Sequence, residues 1–333
     1  MLCAAGFAAM PAGWTPAHQT PDGLNSSARP AFEDTRPKAA AAGTAELTEG
    51  REVFSPDGTI TRVRISTQVK TAAASANAKA AAAEVTALQN TGPSGSRFDM
   101  VIVGDGYTAS QTGLLRQHAQ AKWNEIAATA PWNKYRQLIN VWLVNVRSNE
   151  SGVDNDPSPG INRDTALDMR FFCDGRTDRL LCVDEPKAQA YAAQAPGVDA
   201  ILAVGNTTKY GGAGAPSLAS VSGGNAQSGR IAIHELGHSV GGLADEYFTE
   251  GTTYPGGEPR EPNVTTDPRG TKWASDLGRN TPDGGVIGAY QGGRYYERGI
   301  YRPSQDSLMR NINKPFNLIG LVAMERAISS KIR

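Results

Sequence analysis

Residues 234–247 read HELGHSVGGLADEY. His234 and His238 stand four positions apart, so on a helix both imidazoles leave the same face. That spacing lets two ring nitrogens reach one zinc ion at about 2.0–2.1 Å. Glu235 is the next residue round the helix, placed to hold a water at the metal and take its proton; zinc brings the pKa of such a water to about 7. The bland alternative is a helix with two surface histidines. A third ligand decides between them, because catalytic zinc takes three protein ligands and leaves one position open. The preceding GRIAI supplies an apolar face to bury the helix, and Gly241-Gly242 permits the sharp turn that ends it. The other histidines are His118, on an earlier predicted helix, and His18, near the start. The third ligand is therefore expected to be a carboxylate just past the turn: Asp245, with Glu246 as the alternative. Otherwise Glu246 is expected to orient a histidine from behind.

Upstream, FDMVIV (98–103), LINVWLVNV (138–146) and DAILAV (199–204) read as buried strands, separated by predicted helices at 110–130 and 186–195. Residues 218–221 read as a short edge strand, 229–241 as a helix, the following seventy or so residues as loops rich in Gly, Pro and Tyr, and 315–332 as a closing helix. Strands alternating with helices predict an α/β fold with a mixed sheet, an active-site helix and a C-terminal helix. Before it, VFSPDGTITRVRIST alternates about a Pro-Asp-Gly turn and predicts a hairpin too small to stand alone. The expected organisation is residues 1–13 as a signal-peptide remnant, 14–50 as a Pro/Ala-rich linker, 51–95 as the hairpin plus an Ala-rich helix or spacer, and 96–333 as the catalytic domain.

The chain has 333 residues, 33 basic and 33 acidic, and a pI near 6.9. No global basic field exists to hold nucleic acid or an anionic membrane, and no apolar run is long enough to span a bilayer. MLCAAGFAAMPAG resembles the end of a secretory signal, although it lacks a basic start. A secreted, periplasmic or cell-surface chain would close Cys173 and Cys182 as a local disulfide.

Three further motifs carry less. Gly104-Asp105-Gly106-Tyr107-Thr108-Ala109 mimics a dinucleotide fingerprint, but Asp105 would face the pyrophosphate and the next strand comes too late, so a tight structural turn is expected. Asp154, Asn155 and Asp156 offer calcium-type (Ca2+) ligands but read as a solvated acidic loop. Asn263-Val264-Thr265 fits a glycosylation sequon, a triplet that is common by chance.

The segments VIVGDGYTAS, NVWLVNVRSNESGVDNDPS, TALDMRFFCDGRTDRLLC, KYGGAGAPSLASVS, HELGHSVGGLADEY and GIYRPSQDSLMR resemble the bacterial IgA-peptidase family of zinc metallopeptidases, over about residues 98–333. The resemblance implies a metzincin-like domain, Zn2+ on His234, His238 and Asp245, Glu235 as general base, and a Met-turn at Met309. Metzincins place the third ligand ten residues after the first histidine; here position 244 is Ala and the aspartate is at 245. The expected activity is zinc-dependent endopeptidase hydrolysis of protein substrates. The substrate strand would pair with residues 214–221, and Tyr295, Tyr296 or Tyr301 would stabilise the oxyanion. A zinc amidase acting on cell-wall peptides and a non-catalytic zinc-stabilised binding module are the rival functions.

Overall fold

Phe98–Asp105 is buried along its whole length, which places it mid-sheet with both faces covered. In the computed structural model, which describes residues 47–67, 81–215 and 217–333, the elements in chain order are β1 (Leu47–Phe54), β2 (Ile60–Thr67), β3 (Glu84–Gln89), β4 (Phe98–Asp105), α1 (Thr112–Ala128), the single turn α2 (Trp132–Tyr135), β5 (Ile139–Asn145), α3 (Glu185–Ala192), β6 (Ala200–Gly205), β7 (Gly212–Ala215), β8 (Leu218–Ser222), α4 (Gly229–Ser239), β9 (Phe248–Thr253), β10 (Tyr290–Gly293), β11 (Tyr295–Arg302) and α5 (Leu318–Ser329). The fold is mixed α/β. Residues 46–333 form one compact unit. The expected signal remnant at 1–13, and most of the expected linker at 14–50, lie outside the described residues.

The main sheet has the order β3-β5-β4-β6-β8-β7. Its centre is parallel (β5, β4, β6, β8), while β3 and β7 pair antiparallel at the two edges. Alternate residues of β4 feed opposite cores, as a period of two requires. Met100 and Ile102 pack with Leu115 and Trp123 of α1, Ile233 and Leu236 of α4, and Met324 of α5. Val101 and Val103 pack with Ala188 and Ala192 of α3 and with Leu167, Met169 and Phe171 of the long loop after β5. The helix α4, carrying His234, therefore lies under one face of the sheet next to β7 and β8.

Three sequence expectations change. The Ala-rich stretch is not helical at its end: Glu84–Gln89 is the edge strand β3, paired with β5, while 68–80 lies outside the described residues. Alanine spacing mimics a helix, but EVTALQ carries the β-branched residues an edge strand prefers. Leu218–Ser222 is not an edge: β8 is buried between β6 and β7, and β7 is the edge strand on that side, its Gly212 end bridged to Leu180. The seventy-residue stretch after α4 is not all loop. It builds a second sheet, order β10-β11-β9, whose glycine-broken, half-exposed strands and register shifts erase any clean alternation.

Asp105 explains the GDGYTA motif. Its carboxylate accepts from the backbone N–H of Leu167 (2.8 Å) and Met169 (2.8 Å) and from the hydroxyls of Thr165 (3.0 Å) and Ser148 (3.3 Å). Gly106 has φ +72°, and a Cβ there would overlap the Gly152 carbonyl. The turn thus pins the loop 148–169 onto the sheet. Asp105→Ala would strand two buried N–H donors, and it is expected to lower the unfolding free energy by about 3 kcal/mol in urea denaturation. A loss under about 1 kcal/mol would contradict this role for Asp105.

The loop residues suspected for calcium are used internally. Asp154 accepts from the Arg163 N–H (2.6 Å), Asn155 from the Gly160 N–H (2.9 Å), and Asp156 from the Thr207 hydroxyl (2.6 Å). Cys173 and Cys182 are joined in a disulfide. Among the described residues no helix is long and apolar enough to cross a membrane.

Candidate metal centre

The helix α4 is buried on nearly every side: Ile231, Ala232, Ile233, His234, Glu235, Leu236 and Gly237 are all out of solvent. It stops as GGL allows. Gly242 takes φ +61°, its N–H reaches the His238 carbonyl (3.0 Å), and the Leu243 N–H reaches the Gly237 carbonyl (3.0 Å), a Schellman pair. The chain reverses, and three residues later Asp245 faces back toward the helix.

His234 and His238 point to one spot, with Nε2 atoms 3.1 Å apart. Each ring is fixed from behind: Nδ1 of His234 lies 3.0 Å from the Leu308 carbonyl, and Nδ1 of His238 lies 2.6 Å from the Leu243 carbonyl. A carbonyl only accepts, so Nδ1 carries the proton in both rings. The two Nε2 lone pairs then face each other, an arrangement that calls for a cation between them. Asp245 Oδ1 stands 3.4 Å and 3.3 Å from the two Nε2 atoms, and it is buried without any hydrogen-bond donor. Tyr295 donates its hydroxyl to the other oxygen, Oδ2, at 2.6 Å.

A fourth group completes the cluster, and the sequence did not announce it. Glu52 of β1 places Oε2 3.1 Å from Nε2 of His234 and 3.4 Å from that of His238. Its Oε1 accepts from the Tyr247 hydroxyl at 2.6 Å. The ligand atoms of Glu52, His234, His238 and Asp245 all lie within 4.8 Å of one another. A tetrahedral site with bonds of about 2.0–2.1 Å has edges of roughly 3.3–3.4 Å; the five edges that involve a histidine measure 3.1–3.4 Å, and the two carboxylate oxygens lie within 4.8 Å of each other. Geometry, tautomers and the unsatisfied Asp245 oxygen therefore fit a metal ion.

The electrostatics agree. Burial opposes charge on His234, yet the Glu52 carboxylate, with Asp245 behind it, holds that ring up to about 10. Burial likewise opposes charge on His238, and Asp245 outweighs it. Burial also works against ionised Asp245, but the two imidazoles, His238 foremost, draw it well below the carboxylate range. The pocket holds excess negative charge, and positive charge must enter with it, as protons or as a cation. Glu235 belongs to the same pocket: burial pushes it up to about 7, Glu52 adds repulsion, and its Oε1 has no partner.

The remaining expected residues are placed as follows. Met309 is buried beneath α4: a Cβ on Gly237 would come 2.7 Å from its Sδ, and its carbonyl accepts from the Glu246 N–H at 2.7 Å. Glu246 does not join the histidines, either as ligand or as the acceptor behind a ring. Its carboxylate accepts from Asn263 (2.9 Å), Ser307 (2.7 Å) and Asn317 (2.9 and 3.1 Å), bolting three loops together. Burial pushes it up to about 7 despite those donors. Asn263 itself is wholly buried and clamps both backbone groups of Ala244, so in the folded chain the Asn-Val-Thr triplet is a structural element beside Asp245. Tyr295 reaches the cluster with φ +75°, a conformation that costs a non-glycine residue about 1 kcal/mol or more. Tyr296 packs on Tyr254 instead, and the Tyr301 backbone pairs with Thr265. Glu52, Tyr247, Asn263 and Asn317 are the functional surroundings that sequence reasoning missed. Each gains its role only through a distant contact, so no spacing signals it.

A comparison with curated proteins finds no match. The family model described as IgA Peptidase M64 matches residues 86–284 and 276–328, spanning most of the chain and the whole HELGH segment. The chain therefore belongs to the IgA Peptidase M64 family and is a metallopeptidase hydrolase.

Proposed function

We propose that the chain is a zinc-dependent endopeptidase with a metzincin-like catalytic domain. The observation that supports this most is the pair of Nε2 atoms 3.1 Å apart, both rings held in the Nδ1–H tautomer, with Asp245 Oδ1 unpaired beside them. His234, His238 and Asp245 would hold the ion. A set of two imidazoles and carboxylate oxygens at tetrahedral spacing suits zinc. Once bound, zinc supplies a Lewis acid that polarises a peptide carbonyl and brings the pKa of water to about 7.

The protein's own groups do the rest. Glu235 takes the proton of the attacking water at its carboxylate and passes it to the leaving amine nitrogen. Burial raises its pKa above the ordinary carboxylate range, which favours a group that both takes and returns a proton. Strand β7 runs against this base: a Cβ on Gly214 would overlap the Glu235 carboxylate. A substrate strand adding to the edge of β7 beyond Gly212, whose backbone already pairs with residues 179–181, would carry its scissile bond past Glu235. Tyr295 holds Asp245 in place, and the Tyr247 hydroxyl stands at the cluster as a donor. The Cys173–Cys182 disulfide supports a secreted, periplasmic or cell-surface location.

The test is a digest of a peptide library and of purified peptidoglycan by the full chain, with and without 1,10-phenanthroline. The expected result is cleavage within peptides, abolished by the chelator and restored by Zn2+, with peptidoglycan untouched. Cleavage indifferent to the chelator, or confined to peptidoglycan, would contradict the proposal.

A further inference from the structure

We infer that Glu52 is a metal ligand of the resting enzyme and that the β1–β2 hairpin is a built-in occupant of the substrate cleft. This inference rests on the metallopeptidase function proposed above. A catalytic centre of this kind needs one position open to water and substrate. Here that position is taken by the Glu52 carboxylate, at 3.1 and 3.4 Å from the two histidine nitrogens.

The hairpin is built to deliver it. Glu52 and Phe54 share one face of β1, as alternate residues do. The Phe54 ring meets the His234 ring edge-on, with centroids 5.2 Å apart, and Phe54 and Ile60 join the main core. Val53 and Ile65 pack on Leu180, Cys182 and Ala213, beside the disulfide and β7. Arg51 donates to the Gly214 carbonyl and to Glu185, so β1 lies against the strand that a substrate would need. Beyond the turn, the Ile312 N–H bonds to the Gly58 carbonyl (3.1 Å), and Arg62 covers the Tyr295 ring at 4.0 Å. As a result the side chains of His234 and Asp245 are 0% and 1% exposed. The His238 side chain keeps 26% exposure, but while the hairpin lies against β7 a polypeptide strand has no room beside the metal position, and the buried Glu52 carboxylate is stabilised there by the positive charge it meets. Catalysis then requires the hairpin to withdraw or to be removed, exposing the metal position, the edge of β7 and the Tyr247 hydroxyl together.

The test uses the full chain loaded with Co2+ and titrated with acetohydroxamate, a small chelating ligand, while the visible absorption spectrum is followed. An intramolecular carboxylate competes at an effective concentration of millimolar or more. In the wild type, acetohydroxamate is expected to leave the spectrum unchanged. In Glu52→Gln and Glu52→Ala the spectrum should shift, with an apparent affinity at least about tenfold higher, and peptide hydrolysis should rise by about tenfold or more. Tyr247→Phe, which removes the hydrogen bond steadying Glu52, should fall between in acetohydroxamate affinity, and on that binding readout it stands in should the Glu52 variants fail to fold. A wild-type spectrum that shifts at the same concentration as the variants' would overturn the inference. Variants that bind acetohydroxamate more tightly than wild type but cleave no peptide would support Glu52 as a ligand while refuting the endopeptidase function.

Discussion

Glu235→Ala is expected to lower peptide hydrolysis by about 10³–10⁴-fold while leaving the metal content unchanged. The expected split follows from position. Glu235 sits one residue from His234 but outside the four-atom cluster, with one oxygen buried and free of any donor, which is the placement the proposed proton acceptor needs. Its removal takes away a buried negative charge from a pocket that already holds Glu52 and Asp245, so it does not weaken the attraction between the remaining carboxylates and a cation nearly as much as loss of a ligand would. The comparison is made by turnover and by metal analysis, in the wild type and in the Glu52→Gln background, so that any restraint by the hairpin is common to both. Retained turnover in the alanine variant would show that some other group moves the proton. Glu235→Gln should behave like Ala, because the amide keeps the shape and cannot accept the proton.

Much of this centre was legible in HELGHSVGGLADEY alone. Helical spacing brings His234 and His238 together, and Gly242 closes the helix in a left-handed conformation that glycine permits, returning Asp245 toward the rings. Both are local consequences of backbone geometry, and sequence is rich in local information. The central strands were equally plain, because β4, β5 and β6 are continuous apolar runs at the middle of a parallel sheet. What sequence reasoning missed is non-local. Glu52 precedes His234 by 182 positions, and its carboxylate looks like any polar residue on an alternating hairpin until the fold lays β1 against β7. Asn263 read as a sequon because the triplet conceals a side chain aimed inward at Ala244 and Glu246. Glu246 read as a possible ligand because it neighbours Asp245, but successive residues in extended chain point to opposite sides, so only one of the two can face the histidines. The second sheet was hidden for the reason that its strands are short, bulged and interrupted by glycine, and it is held by docking against the Asp245–Tyr247 segment through the Arg294 and Tyr295 N–H groups.

His238→Ala carries the other large expected effect, on metal affinity itself. Structural zinc sites of four ligands are worth about 10–16 kcal/mol, or roughly 2.5–4 kcal/mol for each ligand. Loss of one imidazole should therefore weaken binding by roughly 10²–10³-fold, and turnover should vanish with it. His238 suits this test better than His234, whose ring is also packed into the core against Phe54, so the change at 238 disturbs folding least. The direct measurement is the metal content of the purified full chain by inductively coupled plasma mass spectrometry after dialysis against a weak chelator, wild type beside His238→Ala. Convergence of His234, His238, Asp245 and Glu52 on one ion predicts about one zinc per wild-type chain and nearly none in the variant. Equal metal in both chains, or none in either, would contradict it.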